Sequence, residues 1–69
     1  MTLHAAIEQI LKENHRPMTS RELTDAINAK HLYERKDKKP IPTSQITARV
    51  HQYPAVLRKE GDLITLVNW

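Results

Sequence analysis

The segment RPMTSRELTDAI, residues 16–27, specifies how a helix begins, and this constrains the fold more than any other feature of the sequence. Thr19 and Glu22 have the spacing of a capping box, in which each side chain accepts a hydrogen bond from the backbone amide of the other. Met18 and Leu23 have the spacing of a hydrophobic staple, which fixes the angle at which the chain enters the helix. The helix that follows is short and would be marginal alone. We therefore expect it to brace another element.

Three segments have the apolar spacing of amphipathic helices. Thr2 can cap the first helix, which ends before the first proline. The second extends to about Lys30. The third can be capped by Thr43 or by Ser44, and Pro54 ends it. The pattern predicts a core of Leu3, Ile7, Ile10, Leu11, Leu23, Ile27, Ile46, Val50, Ile64 and Leu66.

The remaining segments predict a charged loop and a β-hairpin. The loop HLYERKDKKPIP, residues 31–42, lacks helical periodicity and favours at most a short strand at Leu32–Tyr33. Near the C-terminus, apolar and β-branched residues flank EGD, which holds the only glycine, as in a hairpin. A three-residue turn would place Val56, Ile64 and Leu66 on one face, whereas a two-residue turn would change the pairing.

This order of elements predicts a mainly α fold with a small β-hairpin: a winged helix-turn-helix with three helices and a C-terminal two-stranded wing. We expect one domain over residues 1–69, because a chain this short supports a single core. We also expect Trp69 to fold back onto the wing or the first helix as part of that core.

Several functional classes are disfavoured by the composition. The chain has no cysteine, which excludes disulfides and thiolate metal sites and favours a cytoplasmic location, on the nucleoid in a bacterium. No apolar run is long enough to cross a membrane. None of the four histidines is three or four residues from another, and no phosphate-loop or zinc-protease motif is present. We expect no catalytic residue, no metal and no cofactor, and the sequence specifies no oligomeric state.

Basic residues are concentrated in the second half of the chain. The formal net charge is +3, and residues 1–29 hold three basic and four acidic residues, whereas residues 30–69 hold eight basic and four acidic ones. This asymmetry favours an anionic partner without requiring one. We predict that Lys36, Lys38 and Lys39 of the loop contact DNA phosphates, an attraction that the interspersed acidic residues weaken.

The third helix and the first wing strand supply the other predicted DNA contacts. Amide side chains can pair with adenine edges, and arginine can bind guanine or phosphate. The alternatives are an ordinary solvated helix face, an arginine whose stem covers apolar surface, and charges that protect an edge strand. The predicted contacts are Ser44, Gln45, Arg49, Gln52, Arg58 and Lys59.

The segments AIEQILKENHRPMTSRELTDAINAKHL, PTSQITARV and VLRKEGDLITLVNW resemble, in their order and spacing, the HARE-HTH family of winged helices. The resemblance spans nearly the whole chain. It implies a winged-helix fold and a module found beside restriction-type nucleases, in chromatin-associated regulators and in the delta subunit of bacterial RNA polymerase.

The resemblance also implies binding to double-stranded DNA, with sensitivity to base modification, although the polymerase subunit acts through protein contacts. The chain departs from the family where Val56 replaces the usual aromatic residue of the first wing strand. Its wing turn is also short, which argues against deep insertion into the minor groove. We predict a DNA-binding module with a transcription- or restriction-related role. The alternative is a protein-interaction module that docks on a larger enzyme.

Overall fold

A computed structural model describes all 69 residues and confirms the predicted fold class, three helices followed by a hairpin. One further strand, of two residues, was not predicted from the sequence. The elements are α1 (Leu3–Asn14), β1 (Met18–Thr19), α2 (Ser20–Lys30), α3 (Thr43–Gln52), β2 (Leu57–Glu60) and β3 (Leu63–Leu66).

The predicted starts of α1 and α2 are confirmed. The Thr2 hydroxyl accepts a hydrogen bond from the first turn of α1. At α2, Thr19 Oγ1 accepts from the amide of Glu22 at 3.1 Å, and Glu22 Oε1 accepts from the amide of Thr19 at 3.0 Å. Met18 and Leu23 are both buried in the same apolar cluster, as a staple requires. These contacts fix both the first residue of α2 and its direction.

The predicted cap of α3 is wrong. Pro42, in an extended conformation, occupies the N-cap position, so neither Thr43 nor Ser44 caps the helix with its side chain. The fixed φ of proline suits the extended conformation that an N-cap residue needs. The chain is held just before this point by Asn28 of α2. Its side chain accepts from the amide of Ile41 at 3.0 Å and donates to the carbonyl of Ile41 at 3.3 Å.

The loop between α2 and α3 contains no strand, so the short strand favoured at Leu32–Tyr33 is also wrong. The amide of Leu32 instead donates to the carbonyl of Ile27 at 3.2 Å, which closes the end of α2. Both side chains are half-buried against the core, and Ile41 is buried at the other end of the loop. The loop is therefore anchored at both ends, and its cationic middle is left at the surface.

The strands form one antiparallel sheet in the order β1-β3-β2. In the hairpin, Leu57 pairs with Leu66 and Lys59 pairs with Ile64, so only two residues form the turn. Gly61, at φ 59, supplies the left-handed conformation that such a turn requires. The two-residue alternative is thus the observed one, and it places Leu57, rather than Val56, on the core face.

The core contains every residue predicted for it and four more, Ala6, Met18, Ile41 and Leu57. The prediction that Trp69 joins the core is wrong, since its side chain is 49% exposed. After β3 the chain turns, and the amide of Trp69 donates to the carbonyl of Leu66 at 3.3 Å. This turn leaves the indole outside the apolar cluster. None of the three helices has the length and apolarity to span a membrane.

Candidate nucleic-acid interface

The outward side of α3 is an uncharged stripe. Burial of Ile46 and Val50 turns the opposite side of the helix to solvent, where residues at helical spacing share one face. These residues line a shallow depression of about 580 Å³ and define what we call the outward face: Ser44, Thr47, Ala48 and His51. Of these, only Ser44 was predicted as a contact. The sequence pattern carried no signal for Thr47 or His51.

The other predicted contacts on α3 lie at the edge of the outward face. Gln52 is exposed, whereas Gln45 and Arg49 are half-buried rather than exposed. The Oε1 atom of Gln45 is buried without a hydrogen-bond partner. Arg49 Nη1 donates to Gln52 Oε1 at 2.7 Å, which orients the guanidinium group. Arg49 is therefore the side chain here that is already held in one position.

A contact between hydroxyl groups joins α2 to α3. Ser20 Oγ and Thr47 Oγ1 lie 3.3 Å apart. The first turn of α2 therefore adjoins the outward face of α3, as expected of a bracing helix. Arg21, the next residue of α2, is exposed and forms no ion pair.

The two cations predicted together on the wing lie on opposite faces of the hairpin. Because side chains alternate along a strand, Lys59 shares a face with buried Leu57, whereas Arg58 points the other way. Arg58 Nη2 forms an ion pair with Glu60 Oε1 at 2.8 Å. Lys59 has no carboxylate partner and lines a depression of about 460 Å³ together with Arg21.

The lysines of the loop are exposed, and none forms an ion pair. One of the interspersed acids is already used within the loop, because Asp37 Oδ2 lies 3.2 Å from Arg35 Nη2 and Asp37 Oδ1 accepts from the amide of Lys39 at 3.1 Å. Lys38 has a φ of 60, a left-handed conformation that is uncommon for lysine. The three lysines predicted to bind phosphate thus have no competing carboxylate partner.

Basic residues with and without an ion pair are distributed unevenly over the fold. The pairs Lys12–Glu8, Arg16–Glu22 and Lys30–Glu13 occupy α1, the connection after it and the C-terminal end of α2. The unpaired cations lie in the first turn of α2, the loop, α3 and the wing. They are Arg21, Lys36, Lys38, Lys39, Arg49 and Lys59.

The sequence model of the HARE-HTH family, which describes a helix-turn-helix domain of ASXL and restriction endonuclease proteins, matches residues 1–66. The chain belongs to the HARE-HTH family. This confirms the resemblance on which the fold was predicted, and it makes the chain a member of a helix-turn-helix family. The chain gives no significant match to a curated protein or to a solved structure.

Three histidines of this HARE-HTH chain have structural roles. His15 and His31 end α1 and α2 in the left-handed conformation. His4 stacks on Tyr53, with 3.9 Å between ring centroids, and so joins the start of α1 to the end of α3. Only His51 lies on the outward face, and no group of histidines and carboxylates has the arrangement of a metal site.

Two glutamates of the HARE-HTH chain have lowered pKa values. The amide of Thr19 and the guanidinium of Arg16 lower the pKa of the Glu22 carboxyl. Hydrogen bonds from Lys30 and Gln9 lower the pKa of the Glu13 carboxyl. Both carboxylates are thereby held in their charged form on α1 and α2, where they neutralise the nearby cations.

Proposed function

We propose that this HARE-HTH chain is a DNA-binding module that contacts double-stranded DNA through α3, the loop and the wing. The single observation that carries the proposal is the distribution of unpaired cations. All six lie on the elements around the outward face of α3 or on α3 itself, whereas the cations of α1 and of the far end of α2 are paired. Unpaired cations are available to replace the counterions that surround DNA phosphates.

In this proposal α3 lies in the major groove, which is wide enough for a helix. Ser44 and Gln52 offer hydrogen bonds to base edges, and Gln45 offers its amide nitrogen beside them. Arg49, held by Gln52 at 2.7 Å, binds either a guanine edge or a phosphate. Because the outward face itself carries no charged side chain, we expect most of the affinity to come from phosphate contacts beside it.

The loop and the wing supply those phosphate contacts on either side of α3. Lys36, Lys38 and Lys39 contribute from the loop, and Lys59 contributes from the wing. Arg58 is left out of the proposed interface, because it lies on the other face of the hairpin and is paired with Glu60. The two-residue wing turn is too short for deep insertion into the minor groove, so we assign the wing to the DNA backbone.

The second candidate is a protein-interaction module that docks on a larger enzyme. It is supported by apolar side chains on the side of the wing away from Lys59. Leu63 and Val67 share this side of the sheet and are 42% and 38% exposed, and Trp69 beyond them is 49% exposed. Neither candidate assigns catalysis, a cofactor or a metal to the chain. Both place it in the cytoplasm, and the first places it on the nucleoid in a bacterium, with a role in transcription or restriction.

The test is fluorescence anisotropy with a labelled duplex of about 20 base pairs. If roughly four phosphates are neutralised, raising the salt from about 50 to about 200 mM should weaken binding about a hundredfold. Arg49→Ala should weaken binding, whereas the matched control Lys12→Ala removes a cation that is already paired with Glu8 and should not. No binding at the lower salt would favour the protein-interaction module. Equal effects of the two variants would exclude α3 from the interface.

A second arm of this experiment tests the loop. The combined variant Lys36→Gln, Lys38→Gln and Lys39→Gln should reduce the slope of log affinity against log salt by about 2.7, since each neutralised phosphate contributes about 0.9. An unchanged slope would show that the loop lysines remain solvated when DNA is bound.

A further inference from the structure

Arg21 and Lys59 come from different elements, yet they face the same depression between the first turn of α2 and the wing. We infer that the two side chains together bind a single backbone phosphate of DNA. This inference rests on the proposed function and deepens it. It adds Arg21, which was not predicted as a contact, and it gives Lys59 a specific ligand.

Strand pairing explains why these two cations meet. Met18 of β1 pairs with Ile64 of β3, and Ile64 pairs with Lys59 of β2, so the three residues form one row across the sheet and point to the same side. Chain continuity then leads from β1 directly into α2. The wing cation at one end of this row therefore adjoins the first turn of α2, where Arg21 lies.

The two side chains, rather than the end of α2, would hold the ligand. The amides of Thr19 and Glu22 at this helix start are already occupied by the capping box. Arg21 and Lys59 have no carboxylate within ion-pair distance, although Asp62 lines the same depression. A phosphate bound between them would neutralise two neighbouring positive charges. Arginine would supply paired N–H donors in a fixed plane, and lysine would supply a mobile point charge.

A phosphate at this place would also position α3. Ser20, which precedes Arg21, touches Thr47 on α3, with 3.3 Å between their hydroxyl oxygens. The DNA backbone would then be fixed beside the outward face of α3. The depth of α3 in the groove would be set from the wing side as well as from the loop side.

The experiment measures the salt dependence of duplex binding for the whole chain and for the variants Arg21→Gln, Lys59→Gln and Arg21→Gln/Lys59→Gln. If both side chains bind one phosphate, either can still neutralise it alone. Each single variant should then weaken binding several-fold at fixed salt with little change in slope, and the double variant should reduce the slope by about 0.9. The matched control is Arg58→Gln, which removes the neighbouring cation on the other face of the hairpin and should change neither quantity.

Two outcomes would overturn the inference alone. A decrease of about 0.9 in each single variant and about 1.8 in the double variant would mean that the side chains bind separate phosphates. A double variant that binds like the unmodified chain would mean that neither side chain contacts DNA. If the unmodified chain shows no salt-dependent binding, the proposed function and the inference both fail. Thermal unfolding of each variant verifies that the chain still folds.

Discussion

The hydroxyl oxygens of Ser20 and Thr47 lie 3.3 Å apart and join the first turn of α2 to the middle of α3. The capping box at Thr19 fixes the residue at which α2 begins, and this contact then relates that start to α3. A second hydrogen bond, from the hydroxyl of Thr24 to the carbonyl of Ser20 at 2.7 Å, supports the same turn. The start of α2 is therefore specified because it sets the position of its neighbour.

Removing the Thr47 hydroxyl should destabilise the fold. Thr47→Val leaves the partly buried Ser20 hydroxyl without this partner, and we expect a loss of about 1 kcal/mol in the free energy of unfolding. For a chain of this size that lowers the midpoint of thermal unfolding by about 5 °C. Thr47→Ser keeps a hydroxyl and is the control. Additive effects of Thr47→Val and Ser20→Ala in a double-mutant cycle would show that the two hydroxyls do not interact.

Loss of the capping threonine should weaken α2. Thr19→Ala removes the acceptor for the amide of Glu22, and we expect the free energy of unfolding to fall by about 1 kcal/mol. Thr19→Ser retains that acceptor and should stay close to the unmodified chain. Urea unfolding followed by circular dichroism measures both. If the alanine and serine variants were equally stable, the hydrogen bond would contribute nothing.

The capping carboxylate should make stability depend on pH. The pKa of Glu22 is lowered in the fold by the Thr19 amide and by Arg16, so its contribution is present above the ordinary glutamate pKa of about 4.3 and is lost as the pH falls through the lowered value. Glu22→Gln can still complete a capping box but carries no charge. The stability difference between the two chains should therefore be largest near neutral pH and shrink in acid. A difference independent of pH would contradict this role of the charge.

Gly61 should tolerate alanine only with a backbone penalty. Its φ is 59, and a Cβ atom built there meets no atom within 4 Å, so steric crowding by neighbouring residues adds nothing. We expect Gly61→Ala to lower the free energy of unfolding by about 1 kcal/mol, the penalty for a left-handed residue with a side chain. Asparagine adopts this conformation more readily, so Gly61→Asn should lose less. An alanine variant as stable as the unmodified chain would place a different turn in the wing.

Local signals in the sequence predicted the parts of the fold that depend on neighbouring residues. The capping box, the helical spacing of apolar residues and the only glycine each acts within a few positions, and all three predictions are confirmed. Parts that depend on distant pairing were missed. Strand β1 has two residues and forms only because β3 lies beside it. Ile41 lies in a polar segment and is buried because Asn28 holds its backbone.

The candidate site was predicted less well than the core, and the reason is rotational. Ile46 and Val50 showed which side of α3 is buried, but two residues do not fix where the outward face is centred, so Thr47 and His51 were missed. The turn length was left open, so the sequence could not separate Arg58 from Lys59. Trp69 was assigned to the core by its chemistry alone, although the chain turns away after β3.

The most direct test of the account follows backbone amide chemical shifts while duplex DNA is added at about 50 mM salt. We predict that the perturbed amides cluster at residues 43–52 of α3, with further changes in the loop lysines and at Arg21 and Lys59. The exposed face of α1 around Lys12 should remain unchanged. Perturbations that avoid α3 and cluster instead at Leu63, Val67 and Trp69 would contradict the account.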